Sequence, residues 1–261
     1  MATTEWTSGV ISAAGAELHF KRAGQGAPLL VLHRDIGTPD RLVFYDLLAR
    51  DHDVIIPHHP GYGESPRPDW VRSVRDIVAV YRTFQGKLGL QAATLVGLGF
   101  GGWIAAEIST VAPVDTPRLV LVGAMGLKPP EGEILDQALI SYIEYVRAGF
   151  HAEDGFERIF GAQPTLAQLV QWDLCREMSF RVAWKPYMYN DSLPHLLRDV
   201  QARALIVCGD NDRIVPRSAA ALYAESLPHA RRETIAAAGH LVEMEQPEKL
   251  ADLIKRFAAG S

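Results

Sequence analysis

Cysteine is nearly missing from this chain of 261 residues, which has only Cys175 and Cys208. Two thiols build neither a disulfide framework nor a paired-cysteine metal knuckle, and this fits a reducing compartment. Long apolar runs are missing too. The longest, such as Ala93 to Val96 and Leu119 to Val122, have strand length and fall far short of a bilayer span, so no membrane association is expected. An excess of positive charge is likewise absent. Lys plus Arg is 26 against 31 for Asp plus Glu, a net charge of −5, which argues against nucleic acid as a partner. The N-terminal residues Met1 to Glu5 lack the basic and apolar regions of a secretory signal, so a cytoplasmic location is expected. The hydrophobic share of 48% and the charged share of 22% exclude a disordered or collagenous chain.

Short continuous apolar runs alternate with helical patterns. Residues 28–33, 53–57, 93–97, 118–122 and 204–208 read as buried strands. They lack the in-out alternation of a half-exposed sheet, as expected of parallel strands covered on both faces. Residues 41–49, 73–88, 102–111 and 216–227 read as the helices between them, with Pro216 suited to a first turn. Residues 4–13 and 16–23 read as an antiparallel hairpin turning at Ala14-Gly15. The expectation is an α/β fold with a mostly parallel sheet of about eight strands and helices on both faces. Between 125 and 200 the alternation stops and the sequence reads as helices alone. That stretch holds 10 of the 22 aromatic residues. An inserted helical lobe is expected there, on a core formed by 1–124 and 201–261. About half of its aromatics should form its own core and the rest should line a ligand pocket.

Ligands of parallel sheets bind beyond the carboxyl ends of the strands, so the post-strand loops carry the functional information. After the strand at 93–96 comes Gly97-Leu98-Gly99-Phe100-Gly101-Gly102 and then a helix of small residues. This resembles the G-x-S-x-G nucleophile elbow of the α/β-hydrolase fold, with glycine at the central position. Four further segments resemble that family in order. His33 stands where the family has its oxyanion turn. His59-Pro60-Gly61-Tyr62-Gly63-Glu64-Ser65-Pro66 is similar to its loop after the fourth strand. Asp212 lies in the place of the triad acid, and Ala238-Gly239-His240 in that of the triad histidine turn. The resemblance covers essentially the whole chain and makes 125–200 the family's cap.

Three departures modify what the resemblance implies. Gly99 supplies no nucleophile, so an acyl-enzyme route is closed there, although Phe100 keeps a backbone N–H for an oxyanion hole. Arg34 replaces the small residue after the oxyanion histidine. Its guanidinium either points into the pocket, toward a carboxylate or enolate, or bends outward to pair with Asp35. His58 stands where the family has an acid. His33, His58, His59 and His240 would gather near one sheet edge, but their spacing matches no metal motif, and neither a metal nor a cofactor is expected. Asp210 competes with Asp212 for the acid role, with its alternative being backbone bonds in its own loop. Glu243 and Glu245 are expected at the start of the last helix.

The resemblance implies an enzyme without serine chemistry, using a His240–Asp212 dyad as general base on water in the space left above Gly99, or on the substrate itself. Ester, lactone or C–C bond hydrolysis or a related proton transfer would follow. The substrate would be small, aromatic or aliphatic, and anionic if Arg34 meets it, with His33, Arg34, His58 and Phe100 around it. The alternative is a silent pseudo-hydrolase that binds a ligand without turnover. The aromatic lobe leaves room for an apolar patch that makes a homodimer.

Overall fold

The computed structural model describes residues 4–260. One eight-stranded sheet runs in the order β1-β2-β4-β3-β5-β6-β7-β8. The strands are β1 (Thr7–Ala13), β2 (Ala16–Ala23), β3 (Ala27–Leu32), β4 (His52–Pro57), β5 (Thr94–Leu98), β6 (Arg118–Val122), β7 (Arg203–Gly209) and β8 (Ala230–Ile235). β1 and β2 form an antiparallel hairpin, and β2 pairs antiparallel with β4. Every other pairing is parallel.

The continuous apolar runs have the expected cause. Alternate residues of one strand enter two different cores. Leu30 and Leu32 of β3 pack on the side of α2 (Val74–Leu88), α3 (Phe100–Val111) and α8 (Arg217–Ser226). Leu29 and Val31 pack on the side of α1 (Val43–Ala49) and α10 (Pro247–Ala258). Both faces of the strand are therefore dry, and no position favours a polar residue.

Between β6 and β7 lie α4 (Tyr142–Ala148), α5 (Gly155–Phe160), α6 (Leu166–Ala183), α7 (Leu193–Leu196) and a 3-10 turn at Leu197–Asp199, with no strand among them. Of the ten aromatics in this segment, Tyr142, Tyr145, Phe150, Phe156 and Trp172 are buried. Trp184 is exposed and the others are half-buried. The segment is tied to the sheet's carboxyl edge. Leu241 N–H donates to Gly149 O at 2.9 Å, and Glu245 accepts the N–H groups of His151, Ala152 and Gly239 at 2.8, 2.9 and 2.6 Å.

Glu243 and Glu245 do not begin the last helix. They lie in a separate short helix, α9 (Val242–Glu245), which ends at Gln246 with φ −131° before Pro247 opens α10. The residue before a proline is pushed out of the helical region, so the two helices cannot merge.

Candidate active site

The turn from β5 into α3 has a backbone that few residues tolerate. Gly99 has φ +52° and ψ −112°. The turn is pinned from both sides: Gly99 N–H donates to Val122 O at 2.9 Å, and Gly99 O accepts Met125 N–H at 3.1 Å. At Gly101 a Cβ would lie 2.1 Å from Leu32 O, so only glycine lets α3 start this close to β3. Phe100 is the first residue of α3, and its N–H belongs to the first turn that the helix itself cannot satisfy.

Asp212 and His240 are brought together from the loops after β7 and β8. His240 Nδ1–H donates to Asp212 Oδ2 at 2.8 Å. Asp212 Oδ1 accepts the N–H groups of Ile214 and Val215 at 2.9 and 2.8 Å, and its side chain is fully buried. The carboxylate therefore cannot rotate. It holds the proton on Nδ1 and leaves Nε2 as an acceptor. His240 Nε2 is buried and has no partner among the described residues. Asp210 is engaged elsewhere: its Oδ1 accepts Ala238 N–H at 3.3 Å and the Asn211 amide at 2.5 Å.

Arg34 takes neither simple course. It is 1% exposed and points inward, where it makes two parallel bonds to Glu243 (Nε to Oε1 and Nη2 to Oε2, both 2.7 Å). Burial works against its charge, but Glu243 more than offsets this, and the pKa lies above the ordinary arginine value. The expected partner Asp35 points elsewhere. The space above Gly99 expected to receive a water is closely bordered. A Cβ on Gly99 would lie 3.0 Å from Arg34 Nη1, 3.3 Å from Arg34 Cγ and 3.1 Å from His240 Nε2. Arg34 Nη1 is buried without a partner among the described residues, so two unsatisfied nitrogens border this glycine.

The other histidines form a separate cluster. Tyr81 O–H meets His59 Nδ1 at 2.5 Å, His59 Nε2–H donates to His33 O at 2.9 Å, and His59 N–H donates to His33 Nε2 at 3.0 Å. His33 Nδ1–H donates to Arg34 O at 2.7 Å. Both ring nitrogens of His33 are thus engaged, and the same holds for His59. Burial lowers His33 well below its ordinary pKa, with the neighbouring imidazoles adding to the effect, and pushes His59 down to about 3. These imidazoles are neutral props for the loop and have no lone pair free for a metal. His58 Nδ1 accepts Glu64 N–H at 3.0 Å, and burial lowers its pKa as well. His33 and His58 line a cavity of about 280 Å³ with Ile36, Trp172, Cys175 and Phe160. A second void of about 10 Å³ lies beside His240, between Asp35, Ile36, Tyr145 and Leu241. It has room for about one water. Ile36 lines both spaces.

A model of the alpha/beta hydrolase family matches residues 29–253. The chain belongs to that family. Its relatives include 2-hydroxymuconate semialdehyde hydrolase of Pseudomonas putida, 26% identical, with 95% of this chain and 93% of that protein covered. Polyketide synthase ThaQ of Burkholderia thailandensis is 28% identical over 93% of this chain, which spans only 12% of the synthase. Among solved structures, 2-hydroxy-6-oxo-6-phenylhexa-2,4-dienoate hydrolase from Rhodococcus sp. strain RHA1 superposes with a TM-score of 0.76 at 18% identity, covering 99% of this chain and 100% of that one. A serine hydrolase involved in carbazole degradation gives 0.78 at 20%, covering 98% and 99%.

In this alpha/beta hydrolase three site residues escaped the sequence reading. Glu243 meets Arg34 across 209 positions. Asp35 Oδ2 accepts Gln137 Nε2–H and Tyr145 O–H, both at 2.7 Å, across 102 and 110 positions. Gly123 follows β6 with φ +54°, and a Cβ there would stand 3.1 Å from His240 Nδ1 and 3.2 Å from Asp212 Oδ2. Of the three, only Gly123 had a local signal, a glycine directly after an apolar strand.

Proposed function

We propose that this protein is a hydrolase that works without a covalent intermediate, with His240 and Asp212 activating water against the carbonyl of a small neutral ester, lactone or ketone. Residues 125–200 act as the cap over that substrate. The observation that carries the reading is His240 Nε2, which is buried, oriented by Asp212, unpartnered, and bordered by a turn whose central residue has no side chain. An unsatisfied buried nitrogen costs about 1–3 kcal/mol, a cost that a bound water or substrate atom removes. The imidazole would take the water's proton while Asp212 stabilises the imidazolium. Arg34 Nη1 and Phe100 N–H are the donors available to the developing oxyanion. The body of the substrate would occupy the 280 Å³ cavity and its carbonyl would reach past Ile36.

Charge selects against an anionic substrate. Asp212 and Glu243 face one guanidinium, and that guanidinium is already paired with Glu243. A substrate carboxylate would enter a region where buried negative charge already exceeds positive charge. The relatives named for muconate and dienoate substrates supply the C–C hydrolysis precedent, while the pairing of Arg34 argues that this chain does not share their acidic substrates.

The test is a panel of neutral short-chain esters, lactones and ketones, with mass spectrometry of the protein during turnover. The expected result is hydrolysis that drops by at least about 100-fold in His240→Ala, with no acyl adduct on the protein. An acyl adduct, or turnover indifferent to His240→Ala, would overturn the mechanism. One observation favours a second reading, that of a ligand-binding protein without turnover: Arg34 crowds the space above Gly99, with Nη1 3.0 Å from where a Cβ would stand. In that case the panel stays silent and ligand affinity survives His240→Ala.

A further inference from the structure

We propose that Asp35 is a second catalytic residue, a carboxylic acid that faces His240 across the one-water void and protonates the leaving group. The inference rests on the His240-driven hydrolysis set out above. It begins from position. Asp35 is 1% exposed, follows β3 by three residues, and shares the void with His240. Two donors from the helical segment fix its side chain, Tyr145 O–H and Gln137 Nε2–H, and both fall on Oδ2. Oδ1 is the oxygen left to carry a proton. Gln137 Oε1 is buried and unpartnered among the described residues.

The charge environment agrees. The nearby guanidinium, Arg34, is bound at two nitrogens by Glu243, so Asp35 has no ion-pair partner of its own. Beside Arg34, its neighbour in the chain, the groups facing it from other elements are His240 from the loop after β8 and Tyr142 and Tyr145 from α4. Cys175 of α6, with Tyr62 and Tyr187, completes the surroundings. None of these is a permanent cation. A buried carboxyl whose nearby cation is already paired to another carboxylate is favoured in its protonated form. Burial raises the Asp35 pKa, against the opposing pull of His240, of the Tyr145 hydrogen bond and of Arg34.

The proton balance closes. Water gives one proton to His240 Nε2, and the hydroxide attacks the carbonyl carbon. The bond from that carbon to the leaving group breaks, and the leaving atom takes the proton of Asp35. After the products leave, a second water entering the void carries the proton from His240 to the Asp35 carboxylate, which restores both groups. An acid placed this way matters most where the leaving group is a poor one.

The experiment compares the unmodified protein with Asp35→Asn, Tyr145→Phe and His240→Ala on matched alkyl and p-nitrophenyl esters across pH. Asp35→Asn is expected to slow alkyl esters on the order of 100-fold in kcat with little change in KM, and p-nitrophenyl esters only about tenfold. The alkaline limb of the kcat profile should vanish. Tyr145→Phe removes a bond that favours the ionised carboxylate, so it should move the alkaline limb to higher pH. A purely structural clamp would slow both ester classes equally and leave the limb in place, and that result overturns the proposal. If Asp35→Asn fails to fold, an unmoved limb in Tyr145→Phe overturns it just as well. Absence of any His240-dependent turnover would sink the hydrolytic reading itself, and the acid with it. His240-dependent turnover with no leaving-group discrimination in Asp35→Asn would sink the acid alone.

Discussion

Gly99 governs the site in two ways. Its positive φ is one that a side chain resists, and a Cβ there would press on Arg34 Nη1 at 3.0 Å and His240 Nε2 at 3.1 Å. Gly99→Ser therefore does more than supply a hydroxyl. It should destabilise the fold by about 1–3 kcal/mol through backbone strain and by pressing on Arg34 Nη1. The new Oγ would nonetheless stand beside His240 Nε2, so an acyl adduct should form and accumulate with p-nitrophenyl esters. Chemical denaturation and intact-protein mass spectrometry read the two effects separately. A variant as stable as the parent, with no adduct, would show that Arg34 yields freely and that the dyad does not address this point. Arg34 itself shows how residue-scale reading goes astray. Its charge and post-strand position were legible and made a pocket cation plausible, but the partner that neutralises it sits 209 residues away.

At the scale of elements, the close approach of α3 to β3 is the feature everything else leans on. The oxygens of Leu32 and His33 lie 2.1 and 2.5 Å from where a Gly101 Cβ would be, and these are backbone atoms that cannot swing aside. Gly101→Ala should push α3 away from the sheet and cost more than about 3 kcal/mol, visible as a fall in the denaturation midpoint. A shift below about 1 kcal/mol would mean that the helix is not seated as described. The strands were readable from their continuous apolar runs and most helices from the periodic pattern between them, both of which are local in the sequence. The turn glycines at 97 and 101 were readable for the same local reason. The division between α9 and α10 was missed because Glu243 and Glu245 look like ordinary first-turn acids until their partners are known.

For the molecule as a whole, acid sensitivity follows from the buried imidazoles. His33 and His59 stay neutral in the fold, with His59 near 3, while each would bind a proton at about 6.5 in the unfolded chain. Their folded pKa values are depressed, so the unfolded state binds more protons below about pH 6.5. Stability is thus fully present above that pH and is lost as pH falls toward 3. Each histidine should contribute a slope of about 1.4 kcal/mol per pH unit within that window. Denaturation midpoints measured from pH 7.5 to 4.5 should fall steeply, and His59→Gln should flatten part of the slope. A midpoint that holds constant to pH 4.5 would contradict the hydrogen-bond assignment of the His33–His59–Tyr81 chain.

The sequence alone determined what depends on local order. Continuous apolar runs made strands buried on both faces, glycine spacing marked the turn at 97–102, and Asp212 and His240 appeared in their post-strand places. Their pairing at 2.8 Å follows once the parallel strands are laid side by side. Tertiary structure decided the rest, because those outcomes depend on which side chains from remote segments meet in a low-dielectric space. It made Arg34 one half of a buried pair with Glu243, and it narrowed the space expected to hold water. It placed Asp35 under Tyr145 and Gln137 of the helical segment, and it drew three histidines into a neutral prop. Composition fixes how many charges a chain carries, whereas only packing fixes which of them remain unpaired.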